Sequence, residues 1–193
     1  MRARVGSREV EVKIAMPSAR AARRLLRTHG FRVRRPRVFQ DDLVLDDRRR
    51  SLERAGCLLR LRKSGAKAWL TYKGPARAGP HKDREEIEVA LPPGAFAEAQ
   101  GILERLGFHP VFRYQKYRAE YARPREPGVV AVDETPIGVY LELEGPAGWI
   151  ERTARRLGLD RSRYIAATYA ELYLQHCRRR GAKPGDMVFP GPR

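Results

Sequence analysis

Glu9-Val10-Glu11-Val12-Lys13 sets a charge on every second residue, with a valine between each. Alternate side chains of a strand share one face, so Glu9, Glu11 and Lys13 point one way and Val10, Val12 and Ile14 the other. The apolar face meets a core; the charged face looks onto solvent or into a polar cavity. For one strand, solvent is the ordinary explanation. The pattern recurs, however, as Glu86-Ile87-Glu88 and Glu142-Leu143-Glu144, and with the opposite sign as Arg60-Leu61-Arg62 and Lys116-Tyr117-Arg118. Solubility does not require signs to be sorted strand by strand. A chain that folds many carboxylates and cations against each other does.

The 193 residues suffice for one domain with its own core, expected over residues 1–180, and residues 181–193, with Pro184, Pro190 and Pro192, are expected to be a disordered tail. No apolar run is long enough to span a bilayer, and the arginine-rich N-terminus lacks the apolar stretch of a secretion signal, so a cytoplasmic location without a membrane partner is expected. Cys57 and Cys177 stand far apart, and the four histidines have no metal-ligand spacing, which argues against disulfide frameworks and zinc sites. The net charge of +17 calls for a polyanion. Nucleic acid is one such partner, but it is not favoured: no zinc-finger spacing, RNA-binding aromatic motif or glycine-rich phosphate loop is present, and helix faces and the tail carry much of the excess. Oligomeric state is not legible.

Ser18 is a plausible helix N-cap, and Gly30 stops the helix it starts. Strands are expected at 31–33, 38–46, 57–62, 68–73 and 84–90, with 48–50 a turn and 74–80 a loop. A second helix follows Pro92-Pro93-Gly94 and ends at Leu106-Gly107; further strands are expected at 112–122, 129–133 and 139–144 and helices at 149–157 and 165–180. The order Glu-x-Glu, helix, Gly-Phe, strand occurs twice, from Glu9 and again from Glu86, at an offset of 77 residues (86 − 9). Two similar halves inside one domain follow. Strands joined mostly as hairpins, with a few outer helices, make the expected fold α+β: an eight-stranded antiparallel barrel. By parity the enclosed face carries Glu9, Glu11, Lys13, Arg60, Arg62, Lys73, Arg84, Glu86, Glu88, Lys116, Arg118, Asp133, Glu142 and Glu144.

Enclosed charges cost several kcal/mol each unless paired or neutralised by a ligand, on the order of what a small domain has in total. Clustered cations suit a multiply charged phosphate chain, and clustered carboxylates suit a hard divalent cation. Together they are the equipment of phosphoryl or nucleotidyl transfer.

Glu9-x-Glu11-x-Lys13 resembles the signature of the CYTH superfamily, the triphosphate tunnel metalloenzymes, which include class IV adenylyl cyclases, thiamine triphosphatases and inorganic triphosphatases. Asp42 to Asp46, Gly56 to Arg62, Thr71-Tyr-Lys73-Gly-Pro, Arg84 to Glu88, Lys116-Tyr-Arg118, Asp133, Glu142-Leu-Glu144 and Thr168-Tyr169 support it in order and spacing. The resemblance implies a tunnel that binds a triphosphate through Lys13, Arg60, Arg62, Lys73, Arg84, Lys116 and Arg118. It implies Mg²⁺ or Mn²⁺ held by a group made of Glu9, Glu11, Asp133, Glu142 and Glu144, with Glu86 and Glu88 either metal ligands or supports for the cations. The attacking group, a metal-activated water or a tunnel carboxylate, stays open. The expected reaction is hydrolysis of an inorganic or organic triphosphate such as tripolyphosphate, ATP or thiamine triphosphate. Cyclisation of ATP to cyclic AMP and pyrophosphate is the alternative in the same tunnel. A non-catalytic module that binds polyphosphate, nucleotide or RNA is the alternative of another class.

Overall fold

The computed structural model describes residues 4–191. Eight strands close into a barrel: β1 (Arg4–Met16), β2 (Arg32–Asp46), β3 (Leu58–Ser64), β4 (Lys67–Lys73), β5 (Lys82–Leu91), β6 (His109–Ala122), β7 (Val129–Thr135) and β8 (Gly138–Glu144). Around the barrel they run β1-β5-β4-β3-β2-β6-β7-β8, each pairing antiparallel. Five helices flank it: α1 (Ala19–Thr28), α2 (Ser51–Arg54), α3 (Phe96–Arg105), α4 (Ala147–Arg156) and α5 (Tyr169–Arg180).

The internal repeat is visible in the element bounds. Helices α1 and α3 begin at Ala19 and Phe96, and strands β2 and β6 at Arg32 and His109, both at the 77-residue offset found in the sequence. Exchanging β1–β4 with β5–β8 returns the same circular strand order. The halves meet along two seams: β1 lies beside β5 with Glu9 opposite Arg84, and β2 lies beside β6 with Asp42 opposite Tyr114.

Alternation puts the apolar core outside the barrel wall. Val12, Ile14, Val130, Val132, Leu141 and Leu143 face outward beneath α1 and α4, where Leu26, Trp149 and Ile150 complete the cluster. Burying each large aliphatic side chain there contributes about 1.5–3 kcal/mol, and this apolar layer supports the charged interior. Helix α1 starts as its sequence dictates: Ser18 Oγ accepts from the Ala21 amide at 3.1 Å, and Gly30, at φ 78°, follows the last turn. A second apolar cluster of Tyr114, Tyr140, Tyr169 and Met187 forms where α5 meets the barrel.

Several boundaries depart from expectation. The segments 31–33 and 38–46 are one strand, β2, whose pairing with β6 slips twice between Val33 and Val38; Pro36, which has no amide hydrogen to give, lies in the irregular stretch. Past the expected turn at 48–50, Asp46 collects the amides of Asp47, Leu52 and Glu53 and so organises the short α2. Helix α5 begins at Tyr169 rather than Ile165, because Ile165 exchanges backbone hydrogen bonds with Lys13, at 3.1 and 2.9 Å, beside β1. Thr168 and Glu171 then form a reciprocal capping box. Within the stretch expected to be a disordered tail, residues 186–189 lie against β6: Met187 is fully buried and bonded to that strand through backbone groups. Residues 192 and 193 lie outside the described residues.

Candidate active site

A cavity of about 1090 Å³ runs through the barrel, and every inward residue expected from strand parity lines it except Asp133. Nearly every charge on its wall is paired. On β1, Glu9 takes Lys73 Nζ at 2.6 Å on both carboxylate oxygens, with Arg84 Nε at 3.4 Å. Burial opposes its charge, but Lys73, with Arg84 and Arg60 nearby, outweighs burial and holds the carboxyl well below its usual range. Glu11 accepts from Lys13 Nζ at 2.8 Å, and Lys13 reaches Glu142 at 3.3 Å across the β1–β8 pair. Burial works against the Lys13 charge as well, yet Glu11 and Glu142 hold this lysine above its ordinary value.

Two cation pairs stand on β3 and β6, on either side of β2, each anchored by a fully buried aspartate on a neighbouring strand. Asp133 on β7 accepts from Lys116 Nζ at 2.8 Å and forms a two-pronged pair with Arg118, 2.7 Å to Nε and 2.6 Å to Nη2. The Tyr169 hydroxyl adds a fourth donor at 2.7 Å. Arg118 also contacts Glu142. Burial pushes the Asp133 carboxyl up, but Arg118 and Lys116 prevail and hold it below its usual range. Asp42 on β2 is the counterpart for β3: Arg62 Nε donates to it at 2.7 Å and Arg60 Nε lies 3.5 Å away. This pair is open. Asp42 Oδ2, Arg60 Nε and Arg62 Nη2 are buried with no hydrogen-bond partner among the described residues. Arg60 is steadied instead by Thr71 at 3.3 Å and the Tyr114 hydroxyl at 3.4 Å, and Thr71 donates onward to Glu88 at 3.0 Å.

Glu144 stands apart. It faces Glu11 across the β1–β8 pair, has no cation within salt-bridge distance among the described residues, and is reachable by solvent although protein walls it on most sides. Enclosure, then the negative charges of Glu9 and Glu11, push its carboxyl up to about 7. Glu86, 3.4 Å from Lys73, is likewise raised by burial and by Glu9.

The five residues expected to form one metal group do not converge, and among the described residues no three His, Cys, Asp or Glu side chains are arranged to hold an ion. Asp133 does not line the cavity, and its oxygens accept from Lys116, Arg118 and Tyr169. Glu142 is bound by Arg118 and Lys13. Glu9 is paired with Lys73 and Arg84 and Glu11 with Lys13, so of the five only Glu144 has no cation partner among the described residues; beside Glu9 and Glu11 it offers free carboxylate oxygens and carries a repulsion that positive charge would relieve. That chemistry fits a hard divalent ion.

Sequence reading missed Lys82, which is buried on the wall 3.7 Å from Glu11 and which burial, with Lys13 beside it, pulls down to about 8. Two-residue spacing back from Arg84 would have found it, had β5 been started at Lys82. The same spacing back from Lys116 gives Tyr114. Tyr169 carried no such signal, because its role depends on how α5 caps the barrel; its ring lies 5.4 Å from Lys13 Nζ and 5.0 Å from Lys116 Nζ.

The closed antiparallel barrel thus encloses a charged tunnel lined by paired cations and carboxylates. The chain belongs to the CYTH domain family, whose model matches residues 7–179, a family of enzymes that act on triphosphates. It is 30% identical over 137 residues, 70% of this chain and 75% of the relative, to "Putative adenylate cyclase MJ0240" of Methanocaldococcus jannaschii. Among solved structures it is similar to the PH1819 protein of Pyrococcus horikoshii (TM-score 0.74, 25% identity, 87% of this chain and 99% of that one). It also shares its fold with "Putative adenylyl cyclase HpAC1" from Hippeastrum, which is said to reveal a dominant triphosphatase activity (TM-score 0.62, 19% identity, 91% and 97% covered). Among the described residues no helix is long and apolar enough to cross a membrane.

Proposed function

We propose that this chain hydrolyses the terminal phosphoanhydride bond of a triphosphate inside the tunnel, with a divalent cation as cofactor. The observation that carries the proposal is the open cation pair on β3: Arg60 and Arg62 hold buried, unmatched donors on the wall of a cavity whose other pair, Lys116 and Arg118, is already engaged by Asp133. Unmatched buried donors cost about 1–3 kcal/mol each, and phosphate oxygens would satisfy them. Lys13, Lys73 and Arg84 complete the cationic wall along the phosphate chain, and Lys82 adds to it.

Glu9, Glu11 and Glu144 would hold Mg²⁺ or Mn²⁺, with Glu86 and Glu88 as supports for Lys73 and Arg60. When bound, the ion supplies neutralisation of phosphoryl oxygens and polarisation of the phosphorus–oxygen bond. The residues of the chain do the rest: the paired cations hold the phosphates in line, and the enclosed wall limits access to water. Water adds to the terminal phosphorus, the bond to the bridging oxygen breaks, and diphosphate, phosphate and a proton leave, with the departing charge received by Lys and Arg side chains.

Cyclisation of ATP is the second reading, supported by the name of the archaeal relative. Purified protein is to be incubated with Mg²⁺ or Mn²⁺ and, separately, tripolyphosphate, ATP and thiamine triphosphate, and the products resolved. Phosphate with diphosphate from tripolyphosphate, or the corresponding diphosphate compound from an organic substrate, is the expected outcome; cyclic AMP with pyrophosphate would replace it by the cyclase reading. No turnover of any of them would leave the binding-module reading. Glu144→Gln should reduce metal-dependent turnover at least about 100-fold while leaving the melting temperature near that of the parent chain. Full activity in that variant would remove Glu144 from the metal group.

A further inference from the structure

Beyond the matched family region, which ends at residue 179, the chain turns at Gly181 and returns to the barrel. The pairing of β7 with β6 ends at Glu134, opposite Tyr117, so β6 from Arg113 to Gln115 has β2 on one side and an edge left free by β7 on the other. Residues 186–189 take that edge. Met187 accepts from the Gln115 amide at 2.9 Å and donates to the Arg113 carbonyl at 3.0 Å, in a parallel bridge with Tyr114. Asp186 Oδ1 accepts from the Arg113 amide at 2.9 Å, and the Phe189 amide donates to Gln115 Oε1 at 3.1 Å. The Phe189 ring lies 5.3 Å from that of Tyr117. An added strand gains its hold from backbone bonds and its specificity from the side chain it buries. Here that side chain is Met187, fully buried among Tyr114, Tyr140 and Tyr169, with Phe112, Leu172 and Tyr173 around them.

Two of these tyrosines touch the phosphate-binding wall. Tyr114 bonds Arg60, and Tyr169 bonds the Asp133 that anchors Lys116 and Arg118. The methionine is bridged to Tyr114 and shares one apolar cluster with Tyr169, so it belongs to the packing around a member of each cation cluster's support. We infer that residues 186–189 form a clamp that seats α5 on the barrel end and, through Met187, positions Tyr114 and Tyr169 and hence both cation pairs. Met187 is a positioning residue: it reaches no cavity and acts only through the tyrosines.

The inference rests on the tunnel's being the phosphate site only for its affinity readout; its structural readout is independent of that. The test uses full-length Met187→Asp and Met187→Leu, with hydrogen exchange followed along the chain and tripolyphosphate affinity measured by calorimetry without metal. Met187→Asp puts a charge into the apolar cluster, whereas Met187→Leu conserves volume. The aspartate variant should speed amide exchange in Tyr169–Arg180 at least ten-fold, leave β1 and β8 protected, and raise the tripolyphosphate dissociation constant at least five-fold; the leucine variant should restore both to within two-fold. Asp186→Ala, which removes one bond to the Arg113 amide, should speed α5 exchange to a smaller degree with the barrel intact. Unchanged α5 exchange in both Met187→Asp and Asp186→Ala would overturn the clamp, as would faster α5 exchange with unaltered affinity. Should Met187→Asp lose protection throughout the barrel, Asp186→Ala decides. Should the parent chain bind no tripolyphosphate, the proposed function fails, and α5 exchange alone decides the clamp.

Discussion

Each half of the barrel carries two cations spaced two residues apart on one strand and a fully buried aspartate on the strand beside it, but the halves close this unit to different degrees. Around Asp133 every strong donor is engaged: Lys116, both prongs of Arg118, and Tyr169. Around Asp42 only Arg62 bonds directly, through one nitrogen, and buried donors on Arg60 and Arg62 are left over. The helices differ in the same way. Helix α1 buries Ala19, Ala22 and Leu26 in the core it shares with α4, whereas its repeat partner α3 buries no residue, and Ile102 and Leu106 stay exposed. The units share a layout but not a repeat position, since the cations stand on β3 in one half and on β6, the equivalent of β2, in the other; β6–β7 closes its bonds internally, and β2–β3 leaves buried donors unmatched.

The sharpest way to break this comparison is to remove the aspartates one at a time. Asp133→Ala leaves Lys116 and Arg118 buried without their shared anion and should cost about 3–5 kcal/mol in urea unfolding. The Asp133 carboxyl titrates lower in the folded chain than unfolded, so its stabilisation is complete above the unfolded value of about 4 and fades as pH falls through the folded one. The parent chain should therefore lose stability more steeply than Asp133→Asn on acidification below about pH 4; parallel curves would detach Asp133 from the acid response. Asp42→Ala should cost less, about 1–3 kcal/mol, because fewer bonds are lost, yet it should weaken tripolyphosphate binding at least ten-fold. Equal stability costs for the two alanine variants would erase the distinction between a fixed and an open pair. Smallest is Arg37→Ala. This arginine pairs with Glu134 at 2.9 Å on the barrel exterior, and its loss should change stability by less than about 1 kcal/mol and leave tripolyphosphate affinity alone.

Strand parity carried most of the wall into view from sequence, because a two-residue period fixes which face each side chain takes once one face is known to be apolar. Glu9, Arg60, Lys116 and Glu142 needed nothing further to be placed together. What parity cannot supply is depth. Asp133 shares the inward parity of Val129 and Ala131 yet lies behind the wall, since Tyr169 descends onto it from a helix 36 residues away in sequence. Ion pairing was equally hidden: Glu9 meets Lys73 only because β5, between their strands, brings Arg84 and Glu86 to the same level. The place of Met187 was illegible for another reason. Prolines and glycines around it resemble a free tail, and the edge it fills exists only because β7 stops short of β6.

Calorimetric titration of the parent chain and of Arg62→Ala with orthophosphate, pyrophosphate and tripolyphosphate tests most directly that the open β3 pair receives a phosphate chain. The parent should bind tripolyphosphate at least about 100-fold more tightly than orthophosphate, roughly 2.7 kcal/mol, and Arg62→Ala should lose most of that preference while changing orthophosphate binding little. Equal losses for all three phosphates, or no preference for the longer chain in the parent, would contradict the account.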